Sequence, residues 1–237
     1  MTTLLVTGAS GHLGRLVVDD LLARGVAPGD VVATARDTAA LDDLAARGVV
    51  VRHLDYDDTG SVRAALDGVD RVLLVSSPTP GRRVPQHRAV IDAAKEAGVE
   101  LLAYTSIVHA DSSSLLLAQE HLATEQAIAA SGLPAVLLRN SWYLENWAGS
   151  IPGAVERGVL AGAAGEGRVS AATRADYAGA AAAVLVADDT TSRTYELGGD
   201  TAFTLAELAA AVAANDPRGR RDPFADAPSF EDLLRGS

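Results

Sequence analysis

Residues 7–14, TGASGHLG, contain three glycines with the spacing of a nucleotide-binding turn. They follow a short apolar run and open a stretch with the pattern of a helix. At such a junction Gly8 permits a tight turn, Gly11 lets the backbone approach a pyrophosphate, and Gly14 allows the helix to pack closely. The backbone amides of residues 10–13 would then face anionic oxygens at the positive end of the helix. The alternative is a glycine-rich turn without a ligand.

The residue after the second predicted strand bears on which nucleotide binds. NAD-specific proteins usually carry a carboxylate there, which accepts a hydrogen bond from the ribose 2′-hydroxyl. Here the strand is followed by Ala35 and Arg36. A guanidinium can bind a 2′-phosphate through two hydrogen bonds, so Arg36 favours NADPH over NADH. The alternative is an exposed Arg36 paired with the adjacent Asp37.

Polar residues also follow the third and fourth predicted strands. Asp55 and Tyr56 come after the third, and Ser76 and Ser77 come after the fourth. The carboxyl ends of parallel strands share one edge of a sheet, where open α/β sheets bind their ligands. We therefore expect these four residues to line the adenine and the ribose, with ordinary turn chemistry as the alternative.

Ser106 and Asn140 follow the fifth and sixth predicted strands at the same edge. The Ser106 hydroxyl could donate to a substrate oxygen, or it could cap a turn. The Asn140 amide can both donate and accept hydrogen bonds, which suits a carboxamide or a quinone carbonyl. A hydrolase built from Ser106, His109 and Asp111 is disfavoured, because these residues are too close in sequence and no Gly-x-Ser-x-Gly turn is present.

Aromatic residues make up only 4% of the chain, yet Trp142, Tyr143 and Trp147 fall within one short segment. Loops that follow strand ends often carry function, and a flat conjugated acceptor would stack on such rings. The alternative is a small hydrophobic cluster beneath the loop.

The acid that most short-chain dehydrogenases use is missing. Those enzymes carry a Tyr followed four residues later by a Lys, but the only Lys here is Lys95, and residue 91 is Ile. Hydride addition to a ketone gives a strongly basic alkoxide that needs a proton donor. Hydride addition to a quinone gives a phenolate whose conjugate acid has a pKa of about 10, like tyrosine. A few hydrogen bonds could stabilise that oxyanion, so the missing pair penalises ketone reduction more than quinone reduction.

Composition disfavours several other classes of function. The 237 residues include no Cys, which removes thiolate nucleophiles and iron–sulfur clusters, and the five His show no ligand spacing, so no metal is expected. A net charge of −11 opposes binding to nucleic acid or to an anionic membrane surface. No apolar run reaches the roughly 18 residues of a membrane span, and no leader pattern precedes the first strand. We expect a cytoplasmic protein.

Short apolar runs alternate with Ala- and Leu-rich helical stretches along the chain. The predicted strands are residues 4–7, 31–34, 49–54, 72–75, 101–105, 135–138 and 194–197, and the predicted helices are residues 13–24, 38–47, 61–66, 85–97, 115–130, 175–186 and 204–214. Repeated βα units force parallel pairing with right-handed crossovers. The pattern therefore predicts an α/β fold with a doubly wound, Rossmann-like parallel sheet and a small C-terminal substrate-side lobe.

The predicted domain organisation divides the chain after residue 140. Residues 1–140 would form the dinucleotide-binding core. Residues 141–237 would supply the remaining sheet elements and the small lobe. Residues 215–237, rich in Pro, Asp and Arg, would form an atypical or mobile tail.

Many of these motifs occur in the same order in one known family. The motifs are the glycine turn, Arg36, Asp55-Tyr56, SSP at 76–78, PQHR at 85–88, YTS at 104–106 with HAD at 109–111, EH at 120–121 with TE at 124–125, LRNSWY at 138–143 with EN at 145–146, AAG at 163–165, residues 170–177, and YEL at 195–197 with GD at 199–200. Together they resemble the bacterial type 2 NAD(P)H:quinone oxidoreductases, in the NmrA-like branch of the atypical short-chain dehydrogenase/reductases. The resemblance runs from residue 3 to about residue 214.

The resemblance implies hydride transfer from NADPH, or from NADH, directly to a quinone or a similar conjugated acceptor, without flavin or metal. It implies a nicotinamide at the ends of the fifth and sixth strands. The implied catalytic residues are Ser106, Asn140 and Tyr143, and the implied substrate-binding residues are Trp142, Asn146 and Trp147. The implied cofactor-binding residues are Gly8, Ser10, Gly11, His12, Leu13, Gly14, Arg36, Asp55, Tyr56, Ser76, Ser77 and Arg174. For Arg174, an exposed or ion-paired side chain beside Asp176 is the alternative.

Two other functions stay open on the sequence. One is an NmrA-like sensor that binds NAD(P)H and changes partners with little or no catalysis. The other is a reductase or isomerase of a different small molecule. The sequence is equally compatible with a monomer and with a homodimer.

Overall fold

The computed structural model describes residues 2–215, so the tail predicted at 215–237 lies, apart from Asn215, outside the described residues. The strands are β1 (Leu4–Val6), β2 (Val31–Ala35), β3 (Val50–His53), β4 (Arg71–Leu74), β5 (Leu101–Ile107), β6 (Ala135–Asn140), β7 (Arg168–Val169), β8 (Arg193–Leu197) and β9 (Phe203–Thr204). The α-helices are α1 (His12–Ala23), α2 (Asp42–Ala46), α3 (Thr59–Leu66), α4 (Arg83–Ala97), α5 (Leu116–Ser131), α6 (Ile151–Arg157), α7 (Arg174–Val186) and α8 (Leu205–Ala214). Short 3-10 helices span Pro28–Asp30, Thr38–Leu41 and Leu144–Trp147.

Seven of the strands form one parallel sheet in the order β3-β2-β1-β4-β5-β6-β8. β1 lies at the point where the strand order reverses, because Leu4 pairs with Val31 of β2 on one side and with Arg71 of β4 on the other. Open α/β sheets bind ligands at this switch point, outside the carboxyl ends of the strands. The predicted doubly wound α/β fold is confirmed.

The central strands are buried because their apolar side chains are covered on both faces. One core cluster joins Leu5 of β1 and Leu102 of β5 with Val90 and Ile91 of α4. Burial of each such side chain contributes about 1.5–3 kcal/mol. α4 ends where Gly98 adopts a left-handed φ of 74°, a conformation that favours glycine.

The chain divides into two compact units. The larger unit contains residues Met1–Asn140 and Ala175–Leu197, and therefore the whole seven-stranded sheet. The smaller unit contains Ser141–Arg174 and the segment that begins at Gly198. The first change of unit falls after Asn140, and the chain then returns to the larger unit to supply β8.

The smaller unit has a core of its own. Phe203, Leu208 and Val212 pack with Leu144 and Ala171, and β7 pairs with β9 in antiparallel fashion. α8 begins with a complete capping box, in which the Thr204 hydroxyl accepts from the Glu207 amide and the Glu207 carboxylate accepts from the Thr204 amide. The spacing of these two residues in the sequence predicts that cap.

Several element boundaries differ from the sequence prediction. β5 and β6 each run two residues further than predicted, because Ser106 pairs with Arg139 and Ile107 pairs with Asn140. Residues 38–47 are not one helix but a 3-10 turn followed by the short α2. The sequence pattern did not indicate α6, β7 or β9. Among residues 2–215, no helix is both long enough and apolar enough to cross a bilayer.

Candidate nucleotide-binding site

The glycine turn leaves β1 at Thr7 and enters α1 at His12. Gly8 has a φ of 59°, which favours glycine. A Cβ on Gly14 would lie 2.5 Å from the Gly8 carbonyl oxygen, so the first turn of α1 packs directly on the backbone of the loop. The Gly11 amide donates to the Gly8 carbonyl at 2.9 Å. This corrects one expectation, because the Gly11 N–H closes the turn and is not aimed at a ligand.

The turn is fixed to the neighbouring strand ends by Thr7 and Tyr56. The Thr7 hydroxyl accepts from the Val75 amide at 2.8 Å. The Tyr56 hydroxyl lies 2.7 Å from Thr7 Oγ1 and 2.8 Å from the Val75 carbonyl oxygen. Burial raises the pKa of Tyr56, so its hydroxyl stays protonated. The hydroxyl therefore links three strand ends, and its ring lines the cavity beside them.

Arg36 follows β2 and lines the same cavity. Within residues 2–215 its guanidinium makes no hydrogen bond and no ion pair. Asp37 does not pair with it in the described part of the chain, and the Asp37 carboxylate instead accepts from the Ala39 amide at 3.1 Å. The segment that follows is held by Arg15, which donates to Asp43 and to the Ala40 carbonyl. Arg36 thus lies at the cavity wall with none of its side-chain donors engaged by residues 2–215.

One cavity of about 480 Å³ gathers the residues that follow four strands. Every predicted cofactor-binding residue except Arg174 lines it. The other lining residues are Ala35, Leu54, Asp57, Val75, Pro78, Thr79, Arg82 and Gln86. Because β1 to β4 end together at the switch point, the sheet order brings these residues together.

Four polar residues of the cavity were not predicted from the sequence, namely Asp57, Thr79, Arg82 and Gln86. Arg82 and Gln86 both donate to Asp57 Oδ1, at 2.9 and 3.0 Å. Gln86 in turn accepts from the Ser77 hydroxyl at 2.5 Å. Gln86 belongs to a motif shared with the family, but nothing in the local sequence indicates that it reaches the segment after β3.

The loop after β4 is held by buried groups behind it. Arg83 donates to the Ser77 carbonyl at 2.7 Å and to Glu120 at 2.8 Å. His87 Nε2 accepts from the Ser77 amide at 2.9 Å. Glu120 also accepts from the Gly81 amide at 2.5 Å. These contacts order residues 76–82 in the absence of a ligand, which reduces the conformational entropy that is lost on binding.

Ser106 does not follow β5 but lies within it, and it is buried. Its hydroxyl donates to Glu125 Oε1 on α5 at 2.5 Å. Glu125 also accepts two hydrogen bonds from Arg139, at 3.0 and 2.7 Å. The carboxylates beside Arg139, Glu125 first among them, raise the pKa of its guanidinium. The Ser106 hydroxyl proton is therefore directed at a protein carboxylate.

Asn140 is the last residue of β6 and not the first residue after it. It is buried, it pairs in register with Ile107, and its carbonyl accepts from the Val108 amide at 3.0 Å. Asn140 therefore lies at the carboxyl edge of the sheet, as predicted, although its backbone still belongs to the strand.

The remaining predicted residues lie in the smaller unit. The Trp147 ring packs 5.7 Å from Phe203, so Trp147 takes part in the hydrophobic cluster that was the alternative interpretation. The Trp142 and Trp147 ring centroids lie 6.0 Å apart, and the Trp142 residue is 49% exposed. The Arg174 guanidinium lies 5.3 Å from the Tyr143 ring centroid.

Arg174 also connects two further polar residues of that unit. It donates to Asn146 Oδ1 at 3.1 Å, and its backbone amide donates to Glu145 at 2.9 Å. The structure thus groups Arg174 with Tyr143 and Asn146, which were predicted to contact substrate. Their roles toward a cofactor or a substrate stay predictions.

The residues of the cavity fit a phosphorylated dinucleotide. Gly14 leaves no room for a side chain against the turn, the first amides of α1 have no acceptor within the helix, and Arg36 offers a planar cation at the wall. Among residues 2–215, no three His, Asp or Glu side chains are grouped as a metal ion would require. Fold and cavity together define a nucleotide-binding α/β protein.

Comparison with known proteins agrees with this class. A family described as NAD(P)H-binding matches residues 8–188. Quinone oxidoreductase 2 of Escherichia coli strain K12 is 50% identical over 205 residues, which cover 86% of this chain and 71% of that protein. An NAD(P)H azoreductase of Xenophilus azovorans is 31% identical over 212 residues, which cover 89% of this chain and 73% of that protein.

Solved structures extend the comparison to the fold. The Escherichia coli NADPH-dependent quinone oxidoreductase complexed with NADPH superposes with a TM-score of 0.86 at 44% identity, and the match covers 98% of this chain and 88% of that one. A Citrobacter sp. triphenylmethane reductase complexed with NADP(H) also gives 0.86, at 36% identity, over 92% and 77% of the two chains. The chain therefore belongs to the NAD(P)H-binding family and, within it, to the type 2 quinone oxidoreductases that its motifs predict.

Proposed function

We propose that this protein is an NADPH-dependent oxidoreductase that reduces quinones or similar conjugated acceptors. The observation that carries the proposal is the cavity at the switch point, which joins the glycine turn to the available guanidinium of Arg36. The names of the relatives support it, since two of them are quinone and dye reductases described with NADPH or NADP(H).

In this proposal the larger unit binds the nucleotide. The amides at the start of α1 receive the diphosphate, and Arg36 receives the 2′-phosphate. Asp55, Ser76 and Ser77 line the adenine and ribose, while the Tyr56 ring supplies apolar contact. Bound NADPH supplies a hydride directly to the acceptor, so that neither flavin nor metal is required.

The acceptor needs hydrogen-bond donors and a flat apolar surface. The Asn140 amide is the proposed donor to the developing oxyanion. Ser106 is the weaker candidate, because its hydroxyl proton is directed at Glu125. Trp142 is the proposed stacking surface, since the residue is half exposed. Tyr143, Asn146 and Trp147 complete the proposed acceptor residues.

No Tyr–Lys pair acts as the acid in this scheme. A quinone is suited to such a site, because the oxyanion left by hydride addition is only as basic as a phenolate. Solvent can then deliver the proton after the hydride has moved. A ketone would instead need proton transfer in the transition state.

The test is to follow NADPH absorbance with a panel of benzoquinones and naphthoquinones, beside a binding titration with NADPH. Turnover that saturates with both NADPH and quinone is the expected result. Tight binding without turnover on any quinone would instead support the sensor function. Turnover confined to non-quinone acceptors would support a reductase of another small molecule.

A cytoplasmic location and a small-molecule partner belong to the same proposal. Assembly as a monomer or a homodimer is a separate question. Light scattering during size-exclusion chromatography distinguishes the two states.

A further inference from the structure

The chain leaves β5 through a turn that is attached to the end of β6. Val108 is the first residue beyond β5, and its amide donates to the Asn140 carbonyl at 3.0 Å. His109 comes next, and its carbonyl accepts from the Ser112 and Ser113 amides at 3.0 and 2.8 Å. His109 therefore lies at the carboxyl edge of the sheet, one residue from a backbone hydrogen bond to the proposed oxyanion donor.

His109 has a backbone conformation that most residues avoid. Its φ is 55°, and among residues 2–215 it is the only residue other than glycine with a positive φ. A side chain in this left-handed region crowds the backbone, so the conformation persists only where surrounding contacts hold it, and such residues cluster at active sites. His109 is also exposed. The turn thus holds an exposed imidazole at a strained position beside the proposed acceptor site.

A group of charged side chains holds the turn in place. Glu196 on β8 accepts from the His109 amide at 2.9 Å through Oε2 and from Arg139 at 2.8 Å through Oε1. Arg139 also donates to Asp111 at 2.8 Å and to both carboxylate oxygens of the buried Glu125. The hydrogen bond from Arg139 lowers the pKa of the Asp111 carboxyl, so Asp111 stays ionised and has no proton to give.

Two hydroxyl groups of β5 are less suited to proton transfer than His109. The Ser106 hydroxyl donates to Glu125 at 2.5 Å. The Tyr104 hydroxyl is fully buried, 2.7 Å from His121 Nδ1, and burial raises the pKa of Tyr104 so that it keeps its proton. By contrast, the His109 imidazole makes no hydrogen bond or ion pair with the part of the chain that the structure describes. An exposed imidazole can donate a proton at neutral pH and regain it from solvent.

We propose that His109 is the proton donor to the reduced quinone. The inference deepens the proposed function and rests on it. The hydride of NADPH carries two electrons to the quinone, which gives NADP⁺ and a hydroquinone monoanion. The protonated imidazole breaks one N–H bond and transfers that proton to the anionic oxygen, where the new O–H bond completes the hydroquinone. The neutral imidazole then takes a proton from solvent, so the balance is one quinone, one NADPH and one proton consumed.

The effect of such an acid depends on the quinone. A phenolate can leave the site unprotonated, so the proposed reaction does not require an acid. The acceleration that an acid gives grows with the basicity of the oxygen that receives the proton. Methyl groups make a hydroquinone oxygen more basic, whereas chlorine atoms make it less basic. Loss of His109 should therefore slow the reduction of tetramethyl-1,4-benzoquinone more than that of tetrachloro-1,4-benzoquinone.

His109→Asn is the main test, because asparagine lacks the dissociable proton and tolerates a left-handed φ. Rates of NADPH oxidation are measured in single turnovers with each quinone. We expect a loss of about tenfold or more with the tetramethyl quinone and of about twofold or less with the tetrachloro quinone. Equal losses with the two quinones, or no loss with either, would overturn proton donation by His109 and leave the proposed function standing. Failure of wild-type protein to oxidise NADPH with any quinone would overturn both.

Two further variants distinguish the donor from its rivals. His53→Gln is the matched control, because it removes another exposed imidazole of the same unit and should keep the wild-type ratio of the two rates. Tyr143→Phe removes the hydroxyl of another residue proposed to contact the acceptor. A selective loss with the tetramethyl quinone in Tyr143→Phe, and not in His109→Asn, would overturn the proposal. Thermal melting of each variant verifies folding.

A binding measurement tests the position of His109 without turnover. The protein has five histidines, so the imidazole signals in an NMR spectrum can be assigned by the signal that each variant lacks. Tetramethylhydroquinone added to the protein with NADP⁺ should shift the His109 signal and leave the His53 signal unchanged. A His109 signal that does not move at saturating hydroquinone would place the imidazole away from the acceptor and overturn the proposal.

Discussion

The Nε2 atom of His87 accepts a hydrogen bond from the Ser77 backbone amide at 2.9 Å, which joins a fully buried imidazole to a residue of the nucleotide cavity. Since Nε2 is an acceptor, Nδ1 carries the hydrogen and faces the Thr124 hydroxyl at 3.0 Å. Burial first, and the nearby Arg83 second, lower the pKa of His87 to about 3. The same causes lower the pKa of His121 to about 4.

These two histidines predict acid sensitivity of the fold. Both stay neutral in the folded chain, whereas a histidine in the unfolded chain has a pKa of about 6.5. The unfolded state therefore binds more protons below that pH, and stability is lost as the pH falls from about 6.5 toward 4. Each histidine contributes a slope of up to about 1.4 kcal/mol per pH unit in that window. Urea unfolding at a series of pH values measures the slope.

His87→Gln separates the contribution of His87 from that of other groups. Glutamine can accept from Ser77 and donate to Thr124 without titrating. The His87→Gln variant should lose one histidine's share of the change in unfolding free energy with pH. His12→Gln, which changes an exposed histidine, should keep the wild-type slope. An unchanged slope in His87→Gln would contradict the assignment.

Arg36→Ala tests the choice of nucleotide. Loss of the guanidinium removes the charged donors proposed for the 2′-phosphate, so kcat/KM with NADPH should fall about tenfold or more, while kcat/KM with NADH changes little. Arg47→Ala is the control, because Arg47 is an exposed residue paired with Asp19. A variant at Arg36 that keeps its preference for NADPH would show that the phosphate is bound elsewhere.

Ser106→Ala and Asn140→Ala distinguish the two candidate donors to the acceptor oxyanion. Removal of a donor aimed at a developing oxyanion lowers kcat by about 10²–10³. We expect that loss for Asn140→Ala and a smaller one for Ser106→Ala, because the Ser106 hydroxyl donates to Glu125. Quinone titrations at saturating NADPH give the kcat of each variant. The reverse order of effects would make Ser106 the donor.

Trp142→Ala tests the stacking surface. Because Trp142 is half exposed, loss of its side chain should have little effect on the melting temperature. The KM for a naphthoquinone should rise several-fold, since an aromatic contact is worth about 0.5–1.5 kcal/mol. Val159→Ala removes another exposed apolar side chain of the same unit and should leave that KM unchanged. An unaltered KM in Trp142→Ala would remove the stacking argument.

The fold and the nucleotide cavity follow closely from local sequence features. Alternation of βα units predicts the parallel sheet, and the glycine spacing predicts a turn at β1. The residues that immediately follow strands are then gathered by topology alone, which is why Arg36, Asp55 and Ser76 were found from the sequence. Signals of this kind depend only on position relative to a strand end.

Features that depend on packing between distant segments could not be found in that way. Gln86 reaches Asp57 across 29 residues of sequence, and Ser106 meets Glu125 across 19. β5 is longer than its apolar run because Ser106 and Ile107 pair with Arg139 and Asn140. In each case a residue distant in the sequence, and not the local sequence pattern, determines the hydrogen bond or the length of the strand.

A crystal structure of the protein with NADPH at saturating concentration would show directly whether the cavity at the switch point holds the nucleotide. We expect density for the diphosphate at the amides of the turn after β1 and for the 2′-phosphate against the guanidinium of Arg36. A cavity that stays empty under those conditions, or a nucleotide bound at another place, would contradict it.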